Sequence, residues 1–195
     1  MPVLRATLNN RLVVWGFCLV ALVTSSLLTS CTSAILNQDP VGMTLPAVVG
    51  TSLEDDEVVL PEAFQGEPVI LLLGYVQDAQ FDGDRWLFGL LQAQTPVAVR
   101  EVPTIKGFVP RMIANTIDSG MRSGIPFEDW ASVVTVYGAD ASKLVAFTGN
   151  ENPRNMRVIL LDGDGRVAWF HDRGFSAAKL LELDQSAREL VDRDA

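Results

Sequence analysis

The chain has 195 residues, enough for one domain of ordinary size once an N-terminal targeting segment is set aside. All 24 acidic residues lie after position 31, where only 13 basic residues balance them, so this part carries a net charge of −11. A domain this acidic repels nucleic acid, and we expect no nucleic-acid partner.

Residues 1–30 have the pattern of a secretory signal peptide. Arg5 and Arg11 form a basic start without nearby acids, and Leu12–Leu28 is a 17-residue run without charge. The following Leu28-Thr29-Ser30-Cys31 resembles the bacterial lipobox, in which cleavage occurs before a cysteine that then carries lipid. The alternative is an uncleaved membrane anchor, although a span needs about 20 apolar residues.

The lipobox resemblance implies that Cys31 is acylated and holds the chain to a membrane through its lipid. Thr32, where an aspartate would retain the protein at the inner membrane, favours the outer membrane facing the periplasm. Cys18 would leave with the signal peptide, so the mature chain would have neither a free thiol nor a disulfide. We expect a tether over residues 31–45 and one domain over 46–195.

The first half of this domain predicts alternating strands and helices. Pro68–Tyr75 is a continuous apolar run, which is typical of a strand buried on both faces. Apolar spacings of three and four predict helices over Asp84–Leu91 and Gly107–Arg122, separated by a strand over Pro96–Val102. The acidic run Glu54–Glu57 is expected in a solvated loop.

The second half predicts two hairpins and a final helix. Val133–Tyr137 and Leu144–Phe147 flank Gly138–Ser142, which we interpret as a turn. Asp162–Gly165 lies between Arg157–Leu161 and Arg166–Phe170, and Asp-Gly supplies the positive φ that a tight turn needs. Ser176 can cap a helix whose apolar stripe runs from Leu180 to Val191.

The element order is that of a thioredoxin-like α/β fold, a three-layer sandwich with a central mixed sheet and an extra hairpin. Gly66–Leu73 resembles the first core strand of the thioredoxin and peroxiredoxin superfamily, and Leu160–Val167 resembles its hairpin. Val109–Met112 and Gly124–Pro126, followed by that hairpin, are similar to mitochondrial ATP-synthase assembly factors of the peroxiredoxin-like type.

The superfamily's chemistry is not expected here. Its reactive cysteine follows the first core strand, but Tyr75–Asp82 contains no cysteine or serine. The cis-proline expected before the hairpin is not evident, since Met156 lies near that point and Pro153 is displaced. We therefore expect no enzyme activity and no cofactor, and a redox-inactive lipoprotein that binds a protein partner as an assembly factor in the cell envelope.

Polar residues near the superfamily's active site are candidates for binding that partner. They are Asp78, Asp82, Asp84, Asn150, Asn152, Arg154 and His171. One alternative is an enzyme or metal-dependent site built on Asp78, Asp82, Asp84 and His171, although the glycine and glutamate of a calcium loop are out of register. Another is a purely structural envelope lipoprotein.

Overall fold

The computed structural model describes residues 34–109 and 111–194, so the signal peptide and Cys31 lie outside the described residues. The strands are β1 (Val48–Ser52), β2 (Glu57–Leu60), β3 (Val69–Gly74), β4 (Ala98–Lys106), β5 (Val134–Tyr137), β6 (Arg157–Leu161) and β7 (Val167–His171). The α-helices are α1 (Gln80–Ala93), α2 (Arg111–Gly124), α3 (Gly138–Thr148) and α4 (Ala177–Asp194).

Seven strands form one mixed sheet in the order β2-β1-β5-β4-β3-β6-β7. β3 pairs in parallel with β4 and antiparallel with β6, while β7 pairs antiparallel with β6. The sequence analysis predicted the order of these four strands along the chain, and the structure adds their pairing in the sheet. We call the edge where β3, β4 and β5 end the carboxyl edge of the sheet, and the edge where they begin the amino edge.

β3 lies at the centre because both of its faces are apolar. Residues 69–73 are all buried, and alternate side chains enter two separate core clusters. On one face Leu71 and Leu73 pack with Leu144 of α3. On the other face Ile70 and Leu72 pack with side chains of α1 and α4, which completes the three layers.

The hairpin predicted over residues 133–147 is wrong in its second half. Residues 138–148 form α3, because Ala141, Leu144, Val145 and Thr148 are buried at the three- and four-residue spacing of a helix. The hairpin that is added to the core is instead β1–β2, with the acidic run at its turn. Its strands are only five and four residues long, which left little periodicity to detect.

Helix α2 is present, but it begins at Arg111 rather than at Gly107, whose φ of +89° does not fit a helix. Its predicted apolar stripe is only partly covered, since Met112 and Ile113 are exposed. Polar contacts attach it to the sheet: the Tyr137 hydroxyl donates to Asp118 and Arg122 Nε donates to the Leu53 carbonyl. No helix within the described ranges has the length and apolar content to span a bilayer.

From Ile35 onward, the segment expected to be a tether is bound to the domain. Its backbone exchanges hydrogen bonds with Asn150 near the carboxyl edge. Further along, the amides of Gly42 and Leu45 donate to the carbonyls of Val167 and Gly165. We call residues 35–45 the N-terminal arm, and Leu45 anchors it as a buried core residue.

Candidate functional site

The end of β3 is where the resemblance places a reactive cysteine, and here it is filled by packed side chains. Between β3 and α1 lies a single 3₁₀ turn, Gln77–Ala79, whose last residue is fully buried. The thioether of Met156 packs against Gly74, and a Cβ on Gly83 would overlap the Met156 methyl group. Glycine at position 83 therefore makes room for Met156, and the space above β3 is closed.

Asp82 uses its carboxylate to join three segments of the chain. Oδ2 accepts a hydrogen bond from the Met156 amide at 2.9 Å, and Oδ1 accepts one from the Phe175 amide at 2.7 Å. The carboxylate thus ties the first turn of α1 to the segments before β6 and after β7. Each carboxylate oxygen accepts a hydrogen bond from a backbone amide of another segment, so Asp82 has a structural role.

Asp78 and Asp84 do not converge with Asp82. Asp78 forms an exposed ion pair with Arg154, with 3.3 Å between Oδ2 and Nε. Asp84 is half-buried, and its charge, together with that of Asp129, adds to burial in raising the pKa of Glu101. The Asp78–Arg154 pair is accessible to a partner, whereas Asp84 lies in an acidic cluster with Glu101 and Asp129.

The loop between α3 and β6 holds the N-terminal arm. Asn150 Oδ1 accepts a hydrogen bond from the Ile35 amide at 2.7 Å, and the Asn152 carbonyl accepts one from Arg157 Nη1 at 2.7 Å. These predicted binding residues therefore serve internal contacts, at least through those atoms. The exposed Arg154 guanidinium is the member of the loop that is best placed to meet another molecule.

His171 belongs to an aromatic cluster. Its Nε2 lies 2.9 Å from the Gly174 carbonyl, and its ring centroid lies 5.7 Å from that of Trp86 and 5.9 Å from that of Trp169. The structure does not bring His171 and the three aspartates together as a site. Within residues 34–109 and 111–194, no group of three or more His, Cys, Asp or Glu side chains could hold a metal ion.

A buried pair that the sequence analysis missed lies on the α3 side of the same edge. Arg157 is fully buried, and its guanidinium lies 4.8 Å above the ring centroid of Tyr75. The Tyr75 hydroxyl lies 2.6 Å from Thr148 Oγ1, and burial raises the Tyr75 pKa to about 12. Burial also lowers the pKa of Arg157, whose Nε has no hydrogen-bond partner among the described residues.

The outer face of α1 carries apolar side chains that the fold leaves uncovered. Phe81, Phe88 and Leu91 are between 63% and 73% exposed, while Trp86 and Leu90 of the same helix are buried. Spacings of seven and three residues place the exposed three on one side of the helix. The apolar spacing that predicted a helix over Asp84–Leu91 counted Leu91 on the buried side, but Leu91 lies on this outer face.

A second open region lies where β4 and β5 end. An open depression of about 410 Å³ is lined there by residues that include Phe108, Val109, Tyr137 and Gly138. Phe108 is 93% exposed and Met112 is 78% exposed. This part of the carboxyl edge therefore contrasts with the closed end of β3.

Comparison with known proteins supports the fold. No family model and no curated protein matches the chain. A candidate protein disulfide isomerase from Bacteroides thetaiotaomicron has a TM-score of 0.55 at 14% identity, over 82% of this chain and 94% of that one. A candidate electron transport protein from Aquifex aeolicus VF5 has a TM-score of 0.54 at 17% identity, over 76% and 99% of the two chains.

Copper-bound Sco1 from yeast gives a TM-score of 0.51 at 8% identity, over 77% of this chain and 94% of that one. At these identities the similarity concerns the fold alone. The chain thus has a thioredoxin-like α/β domain with a central mixed sheet, as the sequence predicts, and that sheet has seven strands. No cysteine, the soft ligand that suits copper(I), follows Cys31 in this chain.

Proposed function

We propose that this thioredoxin-like domain has no redox activity, is anchored by lipid on Cys31 in the cell envelope, and binds a protein partner through the outer face of α1. By its lipobox and Thr32, we place it on the outer membrane facing the periplasm. The observation that carries the proposal is the closed, thiol-free end of β3 next to an exposed apolar helix face.

Loss of the ancestral chemistry follows from the side chains present. Thiol–disulfide exchange needs a thiolate nucleophile, and the chain has no cysteine after Cys31. Met156 and Asp82 fill the position and are engaged in packing and backbone hydrogen bonds. Restoring a nucleophile would therefore require both a cysteine and an opening in this packed region.

Partner binding is supported by the exposed side of α1. Interface cores are enriched in aromatic and large apolar side chains, and Phe81, Phe88 and Leu91 form such a stripe. The exposed Asp78–Arg154 pair lies beside the first turn of this helix and would provide a polar rim. The stripe is thus suited to an apolar face of another protein.

We further propose that the partner is a protein under assembly in the envelope. A solved structure of BsSco, described as a member of the Sco family of cytochrome c oxidase assembly proteins, has a TM-score of 0.51 at 12% identity, over 79% of this chain and 98% of that one. Identification of the partner by crosslinking therefore tests this role.

Photo-crosslinking in cells tests the binding face. p-Benzoylphenylalanine replaces Phe88 on α1 or, as a matched control, Phe127, an equally exposed phenylalanine outside the helix. We expect a discrete protein adduct from position 88 that is absent from position 127. Identical adducts from both positions, or none from position 88, would contradict the proposal.

Two further measurements test the remaining parts. Mass spectrometry of the full chain from membranes is expected to show an acylated Cys31, and an unmodified thiol would contradict the anchor. An insulin-reduction assay is expected to show no turnover above buffer. Robust reductase activity would contradict the redox-inactive assignment.

A further inference from the structure

We propose that residues 106–109 and 111–113, which we call the edge segment, rest on the phospholipid surface to which Cys31 would anchor the chain. This inference depends on the lipid anchor proposed above, but it does not depend on the protein partner. It assigns a lipid-facing surface to residues that do not belong to α1's outer stripe. Three independent observations support it.

The first observation is exposure. Phe108, Met112 and Ile113 are 93%, 78% and 48% exposed, and they lie in one short stretch where β4 leaves the sheet. The described contacts of α2 with the domain include polar ones near its middle and its C-terminal end, made by Asp118 and Arg122. The start of this amphipathic helix therefore presents its apolar side chains outward, as interfacial helices do.

The second observation is charge. No acidic residue occurs between Glu101 and Asp118, and this stretch contains Lys106 and Arg111, although the chain after position 31 has a net charge of −11. The acidic turns Glu54–Glu57 and Asp162–Asp164 lie at the amino edge: the first follows β1, whose end pairs with the start of β5, and the second lies next to Gly66 just before β3. The edge segment itself contains no acid, so it is a part of the carboxyl edge that an anionic lipid surface attracts.

The third observation is the length of chain between the proposed lipid and the bound arm. Three residues separate Cys31 from Ile35, which is hydrogen-bonded to Asn150. Fully extended chain over these four steps spans at most about 14 Å. Asn150 closely follows Thr148, which contacts the Tyr75 hydroxyl just past the end of β3. A lipid on Cys31 would therefore hold the carboxyl edge near the bilayer.

These observations favour lipid over a protein as the occupant of the edge segment. A protein partner would explain exposed apolar side chains, but it would not require them at the edge nearest the lipid anchor. In this orientation the acidic turns point away from the membrane, and Phe88 and Leu91, in the second half of α1, stay accessible from the side. The domain could then bind its partner while resting on the bilayer.

Depth measurement on the full lipidated chain tests the proposal. The chain is reconstituted into vesicles of phosphatidylethanolamine and phosphatidylglycerol, with a single introduced cysteine carrying an environment-sensitive fluorophore. The label replaces Phe108 or, as a matched control, Phe127. Because acylation blocks Cys31, only the introduced thiol reacts. We expect a blue shift and several-fold stronger quenching by spin-labelled lipid at position 108 than at position 127.

Equal quenching at both positions, or none at position 108, would overturn the proposal. So would a protein adduct from a benzophenone at position 108 without lipid quenching, or an unacylated Cys31. A Phe108→Ser/Met112→Ser double variant should keep the circular dichroism spectrum, because both side chains are exposed. With a label at Ile113 it should lose most of the lipid quenching. A retained adduct from position 88 alongside failed quenching would leave the proposed function standing.

Discussion

The ends of neighbouring strands β3 and β4 differ in exposure: buried side chains lie at the end of β3, and exposed apolar side chains lie at the end of β4. At the end of β3, Met156 is buried and the carboxylate of Asp82 accepts hydrogen bonds from two backbone amides. At the end of β4, Phe108 and Met112 are 93% and 78% exposed. The two strands run side by side in parallel register, so the difference comes from the side chains that follow them.

This difference separates side chains that stabilise the fold from side chains that are available for binding. The position where the superfamily resemblance places a reactive cysteine is part of the packed core here, where it contributes to stability. Exposed apolar side chains that stability does not require lie instead on α1 and on the edge segment. Substitutions at the end of β3 should therefore change the free energy of unfolding, and substitutions at the end of β4 should change binding.

A matched pair of methionines gives the largest contrast. Met156→Ala should lower the free energy of unfolding by about 2–5 kcal/mol, because it removes buried contacts and leaves a cavity. Met112→Ala should change it by less than about 0.5 kcal/mol, since that side chain is exposed. Urea denaturation followed by circular dichroism measures both. Equal costs would show that the two ends are packed alike.

A matched pair of aspartates gives a smaller contrast. Asp82→Ala leaves the amides of Met156 and Phe175 without their acceptor and should cost about 2–4 kcal/mol. Asp118→Ala removes one acceptor from the Tyr137 hydroxyl and should cost about 1 kcal/mol. The same denaturation experiment compares them. A cost for Asp118 as large as that for Asp82 would mean that α2 is as firmly held as α1.

The smallest effect concerns Glu101, in β4 between the two regions. Burial, then the charges of Asp84 and Asp129, raise its pKa above the ordinary 4.5. The folded state therefore binds this proton more tightly, and stability falls as the pH rises from the ordinary pKa through the folded one. Glu101→Gln should match the parent below pH 4.5 and exceed it in Tm at neutral pH. A difference in Tm that did not change with pH would contradict this.

The parts of the fold that could be predicted are those that one local signal determines. The apolar run of β3 and the Asp-Gly turn between β6 and β7 are unambiguous, because burial on both faces and positive φ each leave few alternatives. The prediction of a hairpin over residues 138–148 was wrong because Gly-Ala-Asp-Ala-Ser also suits a turn. The helical spacing of Ala141, Leu144 and Thr148 was present but competed with that stronger local pattern.

The composition of the candidate region could be predicted from the sequence, but its contacts could not. The absence of cysteine between Tyr75 and Asp82 can be read directly from the sequence. The use of Asp82 by two distant amides and the stacking of Arg157 on Tyr75 depend on contacts across more than 70 residues. Only an arginine opening an otherwise apolar strand hinted at a buried cation.

Gly149 determines whether the N-terminal arm can dock. Its φ is +74°, and a Cβ there would overlap the carbonyl of Leu36 and the Cα of Asn37. Asn37 in turn contacts the guanidinium of Arg157 and the amide of Glu151. A single methyl group at position 149 would thus displace the arm from the domain. The linker between the proposed lipid on Cys31 and the domain would then be longer, and the domain could reorient relative to the membrane.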